Sequence, residues 1–167
     1  MNKRNYISLA NKAANIQINE LKKIRKIFNR SFIEAVDLIL NCKGKVIFAG
    51  IGKSGLIARK ISATFSSVGI PSFFCDPVQA LHGDMGQIEK KDILIIFSYS
   101  GNTSELTNML KYANRFQIKI IGVASKIDSI LLKASDIKLI LPKVKEADLT
   151  GMVPTTSTSV TLLLGDC

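Results

Sequence analysis

Apolar positions recur at helical spacing over residues 6–40, then give way to short unbroken apolar runs separated by further helical stretches. In the first segment Ile24, Ile27, Phe28, Phe32, Ala35, Val36, Ile39 and Leu40 share one helical face. This predicts a helical lead-in without a helix-turn-helix break, packed on the domain or on a partner subunit. After Cys42-Lys43-Gly44, the run Lys45-Val46-Ile47-Phe48-Ala49-Gly50 reads as a buried parallel strand. Further strands are expected at 72–75, 92–98, 119–124 and 137–141. Between them, Ser54 can cap a helix carrying Leu56, Ile57, Ile61, Phe65 and Val68, with Gly69 as its stop. A helical turn is expected from Pro77 to Leu81. A helix over 103–115 would bury Leu106, Met109, Leu110 and Ala113, and a short one is expected at 129–134. A loop over 142–154 precedes a final helix from about Thr156. Strand and helix alternate throughout. The prediction is therefore an α/β fold, a doubly wound parallel five-stranded sheet with helices on both faces, preceded by an N-terminal helix. Residues 1–42 form the lead-in and 43–167 the sheet domain. Ligands in such sheets bind beyond the carboxyl ends of the strands, which singles out residues 50–55, 98–105 and 124–126.

Composition narrows the class. With 167 residues, 47% of them hydrophobic, the chain can bury one sizeable core and is not disordered. No apolar run approaches the ~20 residues that span a bilayer. The start, Met1-Asn2-Lys3-Arg4-Asn5-Tyr6, lacks the apolar stretch of a signal peptide. Cys42, Cys75 and Cys167 are widely spaced and odd in number, so they form no disulfide framework or metal site. A soluble cytoplasmic protein with free thiols is expected. The net charge is +10. Lys3, Arg4, Lys12, Lys22, Lys23, Arg25, Lys26 and Arg30 carry much of it, spread along the lead-in with few aromatics. That favours a solvated basic surface with some attraction for anionic small molecules over nucleic-acid binding. No nucleic-acid or membrane partner is expected. The end, Val160 to Cys167, stops inside an apolar helical pattern, so the domain is expected to be cut short.

Chemistry concentrates in Ser98-Tyr99-Ser100-Gly101-Asn102-Thr103-Ser104-Glu105, between a buried strand and a helix. Small hydroxyl residues and a glycine let the backbone approach a ligand, and N–H groups at a helix start face an anion. An ordinary capped turn needs one such residue, so this run reads as a phosphate cradle. Gly50-Ile51-Gly52-Lys53-Ser54-Gly55 lacks the long spacer of a P-loop but matches Gly-x-Gly-x-x-Gly. With Asp76 near the end of the second strand, that leaves a nucleotide-binding oxidoreductase as a third reading.

The Ser-x-Ser-Gly-x-Thr-x-Glu pattern resembles the sugar isomerase (SIS) domain family, which binds phosphosugars within a flavodoxin-like sheet. Gly52-Lys53-Ser54-Gly55, Gly69-Ile70-Pro71-Ser72-Phe73-Phe74, Ala80-Leu81-His82-Gly83-Asp84, Lys145-Glu146-Ala147 and Pro154-Thr155-Thr156-Ser157-Thr158 are similar to the arabinose 5-phosphate isomerases. The resemblance covers nearly all of the chain from Lys43 onward. It implies an aldose–ketose isomerase that interconverts D-ribulose 5-phosphate and D-arabinose 5-phosphate through an enediol, supplying Kdo and lipopolysaccharide synthesis. Lys53, Glu105 and Glu146 match catalytically important positions: Lys53 to stabilise an enediolate or hold phosphate, and the two glutamates as acid and base in unassigned order. Gly52, Ser54, Gly69, Ile70, His82, Ser98, Ser100, Gly101, Asn102 and Thr103 are the implied substrate-binding residues. No cofactor is required. Asp76, where relatives can have histidine, is the candidate ligand for an inhibitory zinc, with His82 beside it. A pentose 5-phosphate substrate and a homotetramer are the implied partners. Two family features lie outside this sequence: a Ser-His-Pro-Gly-Gly segment with a further histidine, and a pair of CBS domains. A chain without them is expected to bind ligand and to isomerise poorly. The second reading is a non-catalytic phosphosugar-sensing module.

Overall fold

The computed structural model describes residues 4–167; residues 1–3, at the polar start, lie outside the described residues. Helix α1 (Arg4–Leu21) runs into a 3-10 helix (Lys22–Ile27), and α2 (Arg30–Leu40) follows. The lead-in is thus two α-helices and not one. In a 3-10 helix residues three apart align, which drives both Ile24 and Ile27 into the core and leaves Lys22, Lys23, Arg25 and Lys26 outside. Asn29 breaks the segment: it is extended, and its side chain accepts the Ser31 N–H at 2.9 Å, capping α2. Ala35 is buried as expected, but Leu40 is 73% exposed.

The sheet follows the expectation closely. Strands β1 (Val46–Gly50), β2 (Ser72–Phe74), β3 (Ile93–Phe97), β4 (Lys119–Ala124) and β5 (Ile137–Ile140) are all parallel, in the order β2-β1-β3-β4-β5. Every residue of β1 and β3 is buried, because helices cover both faces. Alternate residues feed two cores. Val46, Phe48, Ile93, Ile95, Phe97, Ile121 and Val123 pack with Ala58 and Ile61 of α3 (Lys53–Ser67) and with Val160 and Leu164 of the last helix. Ile47, Leu94, Ile96 and Ile120 pack on the opposite side with Met109, Leu110 and Ala113 of α4 (Thr107–Arg115) and with Leu131 and Leu132 of α5 (Ile130–Ala134). Helix α6 (Thr156–Asp166) closes the chain.

Two helix starts differ from the sequence reading. The residue ahead of α3 is Gly52, not Ser54, because φ is +58° there and only glycine adopts that backbone cheaply. The segment after Thr103 begins as a 3-10 turn (Ser104–Leu106), with α4 starting at Thr107. The connections after β1 and β3 leave to opposite faces. This opens a crevice at the carboxyl ends of those neighbouring strands.

Candidate functional site

That crevice encloses about 320 Å³ and has three walls. Ile51, Lys53 and Ser54 come from the β1–α3 turn, and Ser98, Tyr99, Ser100 and Thr103 from the loop after β3. Pro154, Ser157, Thr158 and Thr161 come from the start of α6. It is not the largest concavity. A groove of about 650 Å³ runs along the outside of α1, where no reactive groups converge, and an apolar one of about 350 Å³ lies between α2, α3 and the sheet. Of these three, among the described residues, the crevice alone joins a cation, a helix N-terminus and hydroxyls from three segments.

The first wall is built for close approach. A Cβ on Gly55 would lie 2.6 Å from the Gly50 carbonyl oxygen, so glycine lets α3 press onto the end of β1. At Gly52 an added Cβ would meet nothing within 4 Å, so this backbone faces open space. Gly52 directly precedes the positive end of α3, whose first residue, Lys53, lines the crevice. Among the described residues no carboxylate forms an ion pair with Lys53.

The second wall is braced internally. The hydroxyls of Ser98 and Thr103 share a hydrogen bond of 2.8 Å, and Ser98 Oγ accepts the Gly101 N–H at 3.1 Å. Ser100 is exposed, and its hydroxyl accepts the Asn102 N–H at 3.3 Å. Gly101 has φ +69°, and a Cβ there would lie 2.2 Å from Ser129 Oγ. Gly101 therefore faces α5, as does Asn102, whose side chain accepts the Ile130 N–H at 3.0 Å. Ser98, Ser100 and Thr103 line the crevice, whereas Gly101 and Asn102 shape the loop from behind.

The third wall depends on Glu146. Its Oε2 accepts the N–H groups of Thr155 (2.8 Å), Thr156 (2.7 Å) and Ser157 (3.3 Å), and the Thr155 hydroxyl at 3.0 Å. The carboxylate thus caps α6 and complements its dipole. Burial pushes the carboxyl pKa up, but hydrogen bonds from Ser157 and Thr155 outweigh it and hold the group below its ordinary value. The sign follows from linkage. A carboxyl depressed in the folded state stabilises the protein above its unfolded pKa, and that gain is lost as pH falls through the folded value. Urea midpoints of the wild-type protein should therefore fall more steeply below pH 4.5 than those of Glu146→Gln. Parallel curves would remove this role. Glu105 is exposed and bonded to the Ser104 hydroxyl at 2.8 Å. Its own N–H and Ser104 lower its pKa, so it too is ionised at neutral pH.

None of Gly52, Glu105 and Glu146 lines the crevice itself, and the remaining expected residues lie farther off. Gly69 and Ile70 follow α3 and precede β2, at the amino end of the sheet, and Ile70 lines the apolar groove. His82 ends an exposed 3-10 turn (Gln79–His82) and does not line the crevice. Asp76 Oδ1 accepts the N–H groups of Val78 (2.9 Å) and Gln79 (3.3 Å), so it serves a turn. That occupies the acid on which the dinucleotide reading relies. Among the described residues no three His, Cys, Asp or Glu side chains gather as a metal site. No described helix is long and apolar enough to cross a membrane. Tyr99, Ser157, Thr158 and Thr161 line the crevice but are absent from the expected set. The sequence signals were the place of Tyr99 inside the 98–105 stretch and the hydroxyl run over 154–158.

Comparison with known proteins places this architecture. The SIS domain family model matches residues 39–167. Arabinose 5-phosphate isomerase KdsD of Escherichia coli (strain K12) is 40% identical over 146 residues, which cover 87% of this chain and 44% of that protein. The uncharacterized protein RP505 of Rickettsia prowazekii is 40% identical over 166 residues, covering 99% of this chain and 52% of its own. The chain therefore spans about half the length of the curated relatives it matches. An E. coli CFT073 protein solved in complex with arabinose 5-phosphate superposes with a TM-score of 0.93 at 34% identity, covering 99% of this chain and 88% of that one. The parallel sheet, the crevice at its switch point and the family match over residues 39–167 agree: this chain belongs to the SIS domain family.

Proposed function

We propose that the crevice binds a pentose 5-phosphate and that the protein interconverts D-ribulose 5-phosphate and D-arabinose 5-phosphate, supplying Kdo and lipopolysaccharide synthesis. The observation that carries this reading is the meeting of Lys53, at the start of α3, with the hydroxyls of Ser98, Ser100 and Thr103 at the carboxyl ends of β1 and β3. A phosphate is the group such a cradle suits. The similarity to a protein solved with arabinose 5-phosphate points to the same ligand class. Moving a proton between C1 and C2 transfers no electrons to an external acceptor, so the reaction requires no cofactor. It needs a base and a cation for the enediolate oxygen. Glu105 and Glu146, which stand outside the crevice lining, are the candidate acid and base in unassigned order, and Lys53, within it, is the cation.

We also propose a cytoplasmic homotetramer. Ile7 (69% exposed), Ile18 (55%) and Leu56 (70%) put large apolar side chains on the surfaces of α1 and α3, as subunit packing would use.

The test is conversion of D-arabinose 5-phosphate to ribulose 5-phosphate by this chain and by a version of it extended with the downstream half of a curated relative. Turnover by the extended version is expected. No turnover by either, in folded samples, would defeat the isomerase reading.

A further inference from the structure

Residues 142–147, in the connection from β5 to α6, form a strap without regular structure, anchored by side chains from distant parts of the chain. Tyr99, in the middle of the hydroxyl loop, donates its phenol to the Pro142 carbonyl at 3.1 Å and accepts the Val144 N–H at 3.0 Å. From α1, Glu20 accepts the Lys145 N–H at 3.0 Å. Glu146 then closes on the first turn of α6, and Ala147 donates its N–H to the Thr155 hydroxyl at 2.8 Å. Val144 and Lys145 thus give their N–H groups to two different anchors, one on the ligand loop and one on the lead-in.

Tyr99 is itself firmly held. Its carbonyl accepts both the N–H (2.8 Å) and the hydroxyl (2.7 Å) of Ser125, just past β4. Its half-buried ring packs against the core that α3 and α6 share, and it lines the crevice. A phenol fixed at its backbone, its ring and its hydroxyl transmits a displacement instead of absorbing it.

We propose that Tyr99 is a positioning residue whose hydroxyl couples the ligand loop to the strap, so that phosphate seated against Ser100 and Lys53 fixes the strap and, through it, Glu146. The inference rests on the pentose-phosphate reading above. Coupling is reciprocal, so a fixed strap also favours the ligand-ready loop. A phenol that merely satisfied its own hydroxyl would make strap order independent of ligand.

Amide hydrogen exchange at Val144 and Lys145 tests this, in wild-type protein and Tyr99→Phe, without ligand and at D-arabinose 5-phosphate concentrations that saturate each. Phe keeps the ring and removes only the hydroxyl. In the wild-type protein the ligand should slow exchange at both amides by about 5–150-fold, the usual size of such a coupling. In Tyr99→Phe, Val144 should exchange faster without ligand, and the bound ligand should no longer slow it. Glu20→Ala serves as the second variant. It should speed Lys145 alone and keep the ligand-dependent slowing at Val144. Persistence of the slowing in Tyr99→Phe overturns the proposal, as does its absence in liganded wild-type protein. Loss of all binding in Tyr99→Phe would make the hydroxyl a ligand contact and also overturn it. Wild-type protein that binds no pentose phosphate defeats the pocket reading and the coupling together, whereas binding without slowing defeats the coupling alone.

Discussion

Replacing Asp92 by alanine is expected to destabilise the protein by about 2–4 kcal/mol, a large share of the ~5–15 kcal/mol that holds a typical domain folded. Asp92 is 1% exposed, just ahead of β3. Its Oδ1 accepts the Lys45 N–H at 2.8 Å, ahead of β1, and its Oδ2 accepts the Glu89 N–H at 2.8 Å. The Lys45 ammonium lies 3.4 Å from Oδ2. One carboxylate therefore ties together the starts of the two central strands, whose far ends form the crevice. Alanine would leave two backbone donors without partners, at about 1–3 kcal/mol each when buried. Asparagine retains one acceptor oxygen and should lose less. Urea unfolding of the two variants measures the difference. A loss below about 1 kcal/mol for Asp92→Ala, the size of an average substitution, would show that water replaces the carboxylate without cost.

Replacing Lys53 by methionine is expected to lower kcat/KM for D-arabinose 5-phosphate by about 10²–10³-fold, the usual effect of removing one group that stabilises an oxyanion. Lys53 opens α3, so its ammonium adds to the positive end of the helix at the place where Gly52 leaves the backbone uncovered. Without an ion-pair partner among the described residues, its charge is free to meet a ligand. Methionine keeps the length of the stem, and the residue is exposed, so stability should change by no more than about 0.5 kcal/mol. Steady-state kinetics, with a melting curve on the same sample, separates the two effects. Unchanged kcat/KM would remove Lys53 from the chemistry.

Much of this was legible in the sequence, for identifiable reasons. Strand β4 spans the same residues that the apolar run over 119–124 suggests, and Ser129 caps α5 by accepting the Leu132 N–H. Both signals are local. The break between α1 and α2 was not legible, since Ile24 and Ile27 suit a helix of 3.6 residues per turn as well as one of three. Ser54 has the chemistry of a cap, but the backbone turn at Gly52 decides where α3 begins. Lys53 and the Ser98–Thr103 loop were visible because each lies just after an apolar strand. Tyr99 was not, because its partners Pro142 and Val144 are 43 and 45 residues away. The hydroxyl run over 154–158 was visible, but its place as the third wall of the crevice was not, for the same reason. Glu146 was singled out by the family resemblance as a candidate acid or base, and only the folded chain shows the start of α6 held on its carboxylate.

The central claim is that the crevice between β1 and β3 recognises the phosphate of a sugar phosphate. Calorimetric titration of this chain with D-arabinose 5-phosphate and with D-arabinose tests it most directly. The account predicts saturable binding of the phosphorylated sugar, weakened in Lys53→Met, and no measurable binding of the free sugar. Equal binding of both sugars, or none of the phosphate by a folded protein, would contradict it.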